Sequence, residues 1–309
     1  MSRVLIVGGT GYIGRKFVKA SLALGHPTFV LSRPEVGFDI EKVHMLLSFK
    51  QAGARLLEGS FEDFQSLVAA LKQVDVVISA VAGNHFRNLI LQQLKLVEAI
   101  KEARNIKRFL PSEFGMDPDL MEHALEPGNA VFIDKRKVRR AIEAAGIPYT
   151  YVSSNIFAGY LAGGLAQIGR LMPPRDEVVI YGDGNVKAVW VDEDDVGIYT
   201  LKTIDDPRTL NKTVYIRPLK NILSQKELVA KWEKLSGKFL KKTYISAEDF
   251  LAGIEDQPYE HQVGISHFYQ MFYSGDLYNF EIGPDGREAT MLYPEVQYTT
   301  MDSYLKRYL

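Results

Sequence analysis

The chain contains no cysteine among its 309 residues. Disulfide staples, thiolate catalysis and cysteine-ligated metals are excluded together. It also lacks a surplus of either charge: 37 basic and 38 acidic side chains leave a formal net charge of -1. That balance makes no long-range field able to hold a nucleic acid or an anionic membrane, so a small-molecule partner is expected. No stretch approaches the ~20 apolar residues a membrane helix needs. The nearest, Ala158 to Met172, is broken by glycines and carries Gln167 and Arg170. The apolar run after Arg3 stops at Val7, too short for a secretory h-region, and the expected location is the cytoplasm. In that compartment the glycosylation sequon Asn211-Lys212-Thr213 is idle.

What the chain does have is strand–helix alternation. Val4–Val7, Phe29–Leu31, Arg55–Leu57, Val74–Ser79 and Arg108–Leu110 read as buried strands. Between them, Tyr12–Gly25, Glu41–Gly53, Phe61–Lys72 and Leu89–Ala103 carry the 3.6-residue period of amphipathic helices. A further helix, Ala130–Ala145, stops at Gly146 and leads to a sixth strand, Tyr149–Val152. This order predicts an α/β fold with a doubly wound parallel sheet of Rossmann type and six strands. After Ser154 the rhythm becomes irregular, with Pro173-Pro174 and Gly182-Asp183-Gly184 as punctuation. Residues 1–155 are therefore expected to form a nucleotide-binding domain. Residues 156–309 are expected to form a smaller α/β substrate lobe packed on it, with some segments returning to the first sheet.

Gly8-Gly9-Thr10-Gly11-Tyr12-Ile13-Gly14 follows the first strand and opens the first helix. Glycines suit a tight turn that lets a pyrophosphate approach a helix N-terminus. In an NAD enzyme the second strand ends on Asp or Glu, ~20 residues past the glycines, to hold the ribose hydroxyls. Here that place holds Arg33, in Leu31-Ser32-Arg33-Pro34-Glu35. A guanidinium suits a 2′-phosphate, so NADPH is the expected cofactor. Lys42 and Lys50 on the next helix are candidates for added positive charge, or simply parts of a solvated face.

The chemistry is marked by another absence. No Tyr-x-x-x-Lys pair lies on the helix after the fifth strand; the Tyr12 to Lys16 spacing falls in the glycine loop. On Ala130–Ala145, residues Val131, Val138, Ile142 and Ala145 make an apolar stripe that includes Lys135, with Arg139 at its edge. A lysine on such a stripe is either a desolvated acid–base group or a snorkelling side chain, and the stripe alone leaves both open. No His pair stands at metal-ligand spacing, and Asp192-Glu193-Asp194-Asp195 reads as a helix cap, so no metal is expected.

Gly8 to Gly14, Arg108-Phe-Leu-Pro-Ser-Glu-Phe-Gly115, Lys135 to Glu143, Pro148-Tyr-Thr-Tyr-Val-Ser-Ser-Asn155, Tyr181-Gly-Asp-Gly-Asn185 and Leu292-Tyr-Pro-Glu-Val296 closely resemble the plant isoflavone reductase-like family of NmrA-type short-chain dehydrogenases. Gly115 to Ala124 is most similar to its pinoresinol–lariciresinol reductases. The resemblance spans essentially the whole chain. It implies a cytosolic, dimeric NADPH enzyme that opens the furan rings of lignans. Gly8, Thr10, Gly11, Tyr12, Ile13, Gly14, Arg33 and Lys42 match its NADP contacts. Lys135 matches its catalytic lysine, and Arg139, Asn155 and Phe157 match residues near the nicotinamide. His267, Met121 and Phe268 match the substrate pocket, and Gly83–Asn88 is the segment expected at the substrate mouth.

The implied reaction starts with neutral Lys135 taking the proton of a phenol para to a benzylic ether. The ether oxygen leaves, and the resulting quinone methide accepts hydride at the benzylic carbon. Two rounds take pinoresinol to lariciresinol and then to secoisolariciresinol. Within the enzyme class, a phenylcoumaran benzylic ether reductase or an isoflavone reductase is the alternative. From other classes come a non-catalytic NADP-sensing regulator and a sugar-nucleotide epimerase, the latter disfavoured by the missing tyrosine–lysine pair.

Overall fold

Strand β1 (Val4–Val7) is four aliphatic residues, each at most 2% exposed. Burial on both faces is the mark of a central parallel strand, and β1 sits in the middle of a five-stranded parallel sheet. The computed structural model describes residues 1–81 and 87–309. The order of the sheet is β3 (Arg55–Glu58), β2 (Thr28–Ser32), β1, β4 (Val76–Ser79), β5 (Arg108–Leu110). Helices α1 (Gly14–Ala23), α2 (Ile40–Gln51), α3 (Phe64–Leu71), α4 (Arg87–Ala103) and α5 (Asn129–Ala144) alternate with the strands and cover the sheet. Asp39 and Asp63 start α2 and α3 by accepting from the backbone N–H of Lys42 and Ser66. The expected first-half elements are all present, with ends shifted by a few residues. Except for the opening of α4, Gly83–Asn88 lies outside the described residues.

The sixth strand needs a correction. β6 (Thr150–Ser153) meets β5 only through a bridge between Phe109 and Tyr149, and is counted in a separate sheet. β5 is three residues long and runs into Pro111, which has no N–H to continue a ladder. β6 pairs in parallel with β10 (Lys212–Tyr215), and β10 with β13 (Gly286–Glu288). Chain from the second half therefore extends the first layer beyond β6.

The rest builds a second core. β7 (Ile156–Phe157), β9 (Lys187–Val191) and β11 (Ile222–Ser224) form one small sheet, and β8 (Glu177–Tyr181) with β12 (Lys241–Ile245) another. Short α6 (Ala158–Leu161), α8 (Gln225–Ser236), α9 (Ala247–Leu251) and α10 (Tyr259–Tyr269) enclose Trp190, Trp232, Phe268 and Phe272 with them. One helix of this half, α7 (Glu193–Thr203), lies against α1 instead. Gly197 permits the approach, since a Cβ there would stand 2.9 Å from the Lys16 carbonyl oxygen. Asp192 caps α7, and Asp194 in its first turn pairs with Lys16 and Lys19 of α1.

Candidate active site

The glycine loop closes at the carboxyl end of β1. Gly8 has φ +80°, and a Cβ on it would lie 2.6 Å from the Ala80 carbonyl oxygen just past β4. A Cβ on Gly14 would run into the Gly8 carbonyl. These two positions admit only glycine. No acidic residue lies in the first turn of α1, and no side chain caps it. Among the described residues nothing accepts from the N–H groups of Tyr12 and Ile13. A positive helix end with open N–H groups fits a pyrophosphate. Thr10 and Gly11 complete the turn, where Gly11 N–H donates 2.9 Å to the Gly8 carbonyl.

Tyr12 points from this loop into the second half of the chain. Its hydroxyl donates 2.7 Å to Glu193 Oε1, which also accepts from the Gly159 N–H at 2.8 Å. Its ring lies 4.8 Å from that of Tyr160 and 6.2 Å from Phe157. Phe157 is thereby beside the loop, half-buried. Arg33 follows β2, is exposed, and forms no ion pair with a described residue, as a phosphate anchor requires. Lys42 is paired with Asp39 at 2.5 Å. Lys50 stands in the last turn of α2, at the far end of that helix from Arg33, and adds no charge there.

Helix α5 carries the second half of the site. Val131, Val138 and Ile142 are buried, so the predicted stripe faces the core. Lys135 lies within it, half-buried, and its Nζ donates 2.6 Å to the Glu113 backbone carbonyl. Burial holds the Lys135 ammonium below the ordinary lysine range; Glu113 and Asp117 oppose the shift and Arg139 adds to it. The ring of His267, from α10, lies 4.9 Å from Phe132, one turn before Lys135. His267 Nε2 is 3.0 Å from the Gly128 carbonyl, which can only accept, so Nε2 carries the hydrogen. Burial, reinforced by nearby Lys135, pushes His267 down to about 4 despite that bond. The imidazole is neutral at physiological pH and keeps Nδ1 as an acceptor.

Three of the expected site residues have other partners in this structure. Arg139 is 1% exposed and bonded to Glu113, Asp117 and Asp119, so its guanidinium is committed to carboxylates and not offered to a cofactor. Phe268 packs between Tyr181, Phe250 and Phe272, with centroids 4.6, 5.6 and 4.5 Å away. Neighbours on a helix point ~100° apart, so His267 faces α5 while Phe268 faces the core. Met121, 1% exposed, fills the same core. Asn155 adopts φ +61° just past β6, and its Nδ2 donates 2.8 Å to the Ile216 carbonyl. Glu113 and Glu193 were not singled out as site residues by sequence. Glu113 falls within a motif quoted whole, and Glu193 within a run read as a helix cap.

The NmrA-like family model matches residues 1–305. The chain belongs to the NmrA-like family. A relative, bifunctional pinoresinol-lariciresinol reductase 2 of Thuja plicata, is 77% identical over 308 residues, covering 100% of this chain and 99% of the relative. A solved structure of AtPrR2 with NADP+ and (+)pinoresinol superposes with a TM-score of 0.97 at 61% identity, covering 100% of this chain and 99% of that one. A crystal structure of isoflavone reductase superposes with a TM-score of 0.93 at 45% identity, covering 99% of both chains. These relatives share the fold over essentially the whole chain.

Proposed function

We propose that the chain is an NADPH-dependent reductase that opens the benzylic ether rings of lignans, taking pinoresinol to lariciresinol and on to secoisolariciresinol. The observation that carries this reading is Lys135: a half-buried amine, lowered by burial, held by one carbonyl and facing a neutral histidine. The 77% identity with a pinoresinol-lariciresinol reductase supports the substrate class.

The Tyr12 and Ile13 N–H groups would hold the pyrophosphate, and Arg33 the 2′-phosphate. Asn155 and Phe157 border the nicotinamide end by family resemblance. NADPH, when bound, supplies a hydride. Lys135 in its neutral form accepts the phenol proton; the electron pair released expels the benzylic ether oxygen, which takes up a proton to become an alcohol, and the quinone methide left behind has its electrophilic benzylic carbon open to the hydride. His267 Nδ1, the acceptor nitrogen of the neutral ring, would accept a hydrogen bond from substrate. The resemblance further supports a cytoplasmic homodimer, and among the described residues no helix is long and apolar enough to cross a membrane.

The deciding assay offers NADPH with racemic pinoresinol, lariciresinol, dehydrodiconiferyl alcohol and an isoflavone, followed by chiral separation of the products. Consumption of the first two supports the proposal. Exclusive use of either of the others would transfer the chain to a phenylcoumaran or isoflavone reductase, and no turnover at all to a cofactor-binding regulator.

A further inference from the structure

Residue 113 is gripped at both ends by one helix. Lys135 Nζ takes its backbone carbonyl at 2.6 Å. One turn further along α5, Arg139 takes its carboxylate two-fold, Nε to Oε1 at 3.1 Å and Nη2 to Oε2 at 2.6 Å. The next residue, Phe114, has φ +36°, a conformation that non-glycine residues rarely adopt. Phe114 N–H donates to the Val152 carbonyl of β6, and its ring lies 4.6 Å from Phe17 of α1, the helix that opens with the glycine loop. The turned backbone at 113–114 is therefore held from three sides.

A backbone carbonyl only accepts, so Lys135 donates one N–H to it in either charge state. A neutral amine bonded this way has its lone pair directed elsewhere. If the carbonyl moved, the amine would lose the contact that orients it. Arg139 itself is over-held: Asp117 Oδ1 at 2.7 Å and Asp119 Oδ2 at 2.9 Å bind its Nη1, Tyr215 hydroxyl donates to Asp117 Oδ2 at 2.5 Å, and the Tyr151 ring lies 4.3 Å beneath the guanidinium. Asp117, Asp119 and the Tyr151 ring thus fix the guanidinium that grips Glu113, the residue whose carbonyl holds Lys135.

We propose that the Glu113–Arg139 ion pair is the positioning device for Lys135, holding the Glu113 carbonyl so that the lysine lone pair is presented to the substrate phenol. The proposal rests on the general-base reading of Lys135. Neither residue reaches the reacting atoms; both act through the amine. The charged and titratable groups facing that amine are Arg139 on α5 itself, Glu113 and Asp117 from the segment after β5, and His267 from α10. Of these, Glu113 favours the ammonium and Arg139 disfavours it. Removing the Glu113 charge therefore makes the lysine lose its proton at lower pH, and a rate that requires neutral lysine then rises at lower pH.

The test uses Glu113→Gln and Arg139→Lys with two measurements. Trace acetylation of the NADPH-free protein against pH, read on the Lys135 peptide by mass spectrometry, gives the titration of the amine with no turnover involved. The pH profile of kcat with pinoresinol and NADPH gives the catalytic limb. In Glu113→Gln both should move to lower pH, and kcat should fall on the order of 10- to 100-fold, the cost of a slightly misplaced catalytic group. Arg139→Lys keeps the charge but cannot grip both carboxylate oxygens. Its titration should stay near wild type while kcat falls. It also decides the matter if Glu113→Gln does not fold. Titration unmoved in Glu113→Gln, or kcat within about twofold of wild type in a folded variant, overturns the proposal. A Lys135→Ala protein with wild-type kcat would instead remove the general-base reading, a different failure from an inactive Lys135→Ala beside a fully active Arg139→Lys.

Discussion

The Tyr12 hydroxyl donates to Glu193, joining the glycine loop at the start of the chain to the first turn of α7. Because the same oxygen accepts from the Gly159 N–H, one carboxylate fixes both the loop and the segment bearing Phe157. Glu193→Ala leaves two half-buried donors without an acceptor, each costing about 1–3 kcal/mol. Urea unfolding should show a lower midpoint, and fluorescence titration a weaker Kd for NADPH. An unchanged Kd in the folded variant would mean that the bond ties the halves together without shaping the cofactor loop.

Arg33 is exposed and without an ion-pair partner among the described residues, so its contribution should be confined to the 2′-phosphate. A charge-assisted hydrogen bond contributes ~1.5–3 kcal/mol, so Arg33→Ala should erase roughly 10- to 100-fold of the NADPH over NADH preference. Comparing kcat/KM for the two cofactors measures it directly; equal discrimination in wild type and variant removes Arg33 from the site.

Lys135→Ala should lose ~10²–10⁴-fold in kcat, the usual range for a positioned acid–base group, with little change in NADPH affinity. Lys135→Arg should not restore activity, because a guanidinium stays protonated. With Lys135 as the proposed general base, the wild-type rate should rise with pH through a lysine value depressed by burial. A properly folded alanine variant that turns over pinoresinol at the wild-type rate would reduce Lys135 to a core-covering side chain.

Asp195 is buried behind the cap of α7, where its Oδ2 accepts from the Thr299 N–H at 2.7 Å. Burial, with Asp192 and Asp194 adding to it, raises the carboxyl to about 7 against the Thr299 bond. The folded protein thus binds a proton that the unfolded chain releases near 3.8. Stability contributed by this group is present at acid pH and lost as pH climbs to about 7. Asp195→Asn should therefore flatten that decline, gaining more over wild type at pH 8 than at pH 5 in urea unfolding. A gain independent of pH would show the carboxyl to be ionised throughout.

The local patterns were readable in the sequence. Four aliphatic residues before a glycine loop specify β1 and the turn, and the period of α5 turns Lys135 toward the interior. Arg33 stands out in the sequence because the chemistry of a ribose phosphate calls for a particular residue type at one strand end, and the structure leaves it exposed just past β2. What periodicity misses is the partner. Arg139 was placed correctly at the edge of the stripe, yet its acids arrive from positions 113, 117 and 119, and nothing local tells a guanidinium apart from one that faces a cofactor. Phe268 is expected in the pocket by resemblance, yet it sits beside His267 on the helix with its ring against Tyr181 and Phe272. The end of the sheet was hidden for a similar reason: β6 finds its neighbour at Lys212–Tyr215, far along the chain.

That distant pairing bears on how the chain is made. As synthesis proceeds from the N-terminus, β6 emerges with an unpaired outer edge and stays so until β10 follows, and β10 in turn waits for β13. The core beneath β1 likewise lacks Val189, Val191, Val196 and Tyr199 until the ribosome has passed them. An unpaired strand edge over unfilled apolar surface is a template for aggregation. A fragment ending at residue 155 should therefore be insoluble where the full chain is not.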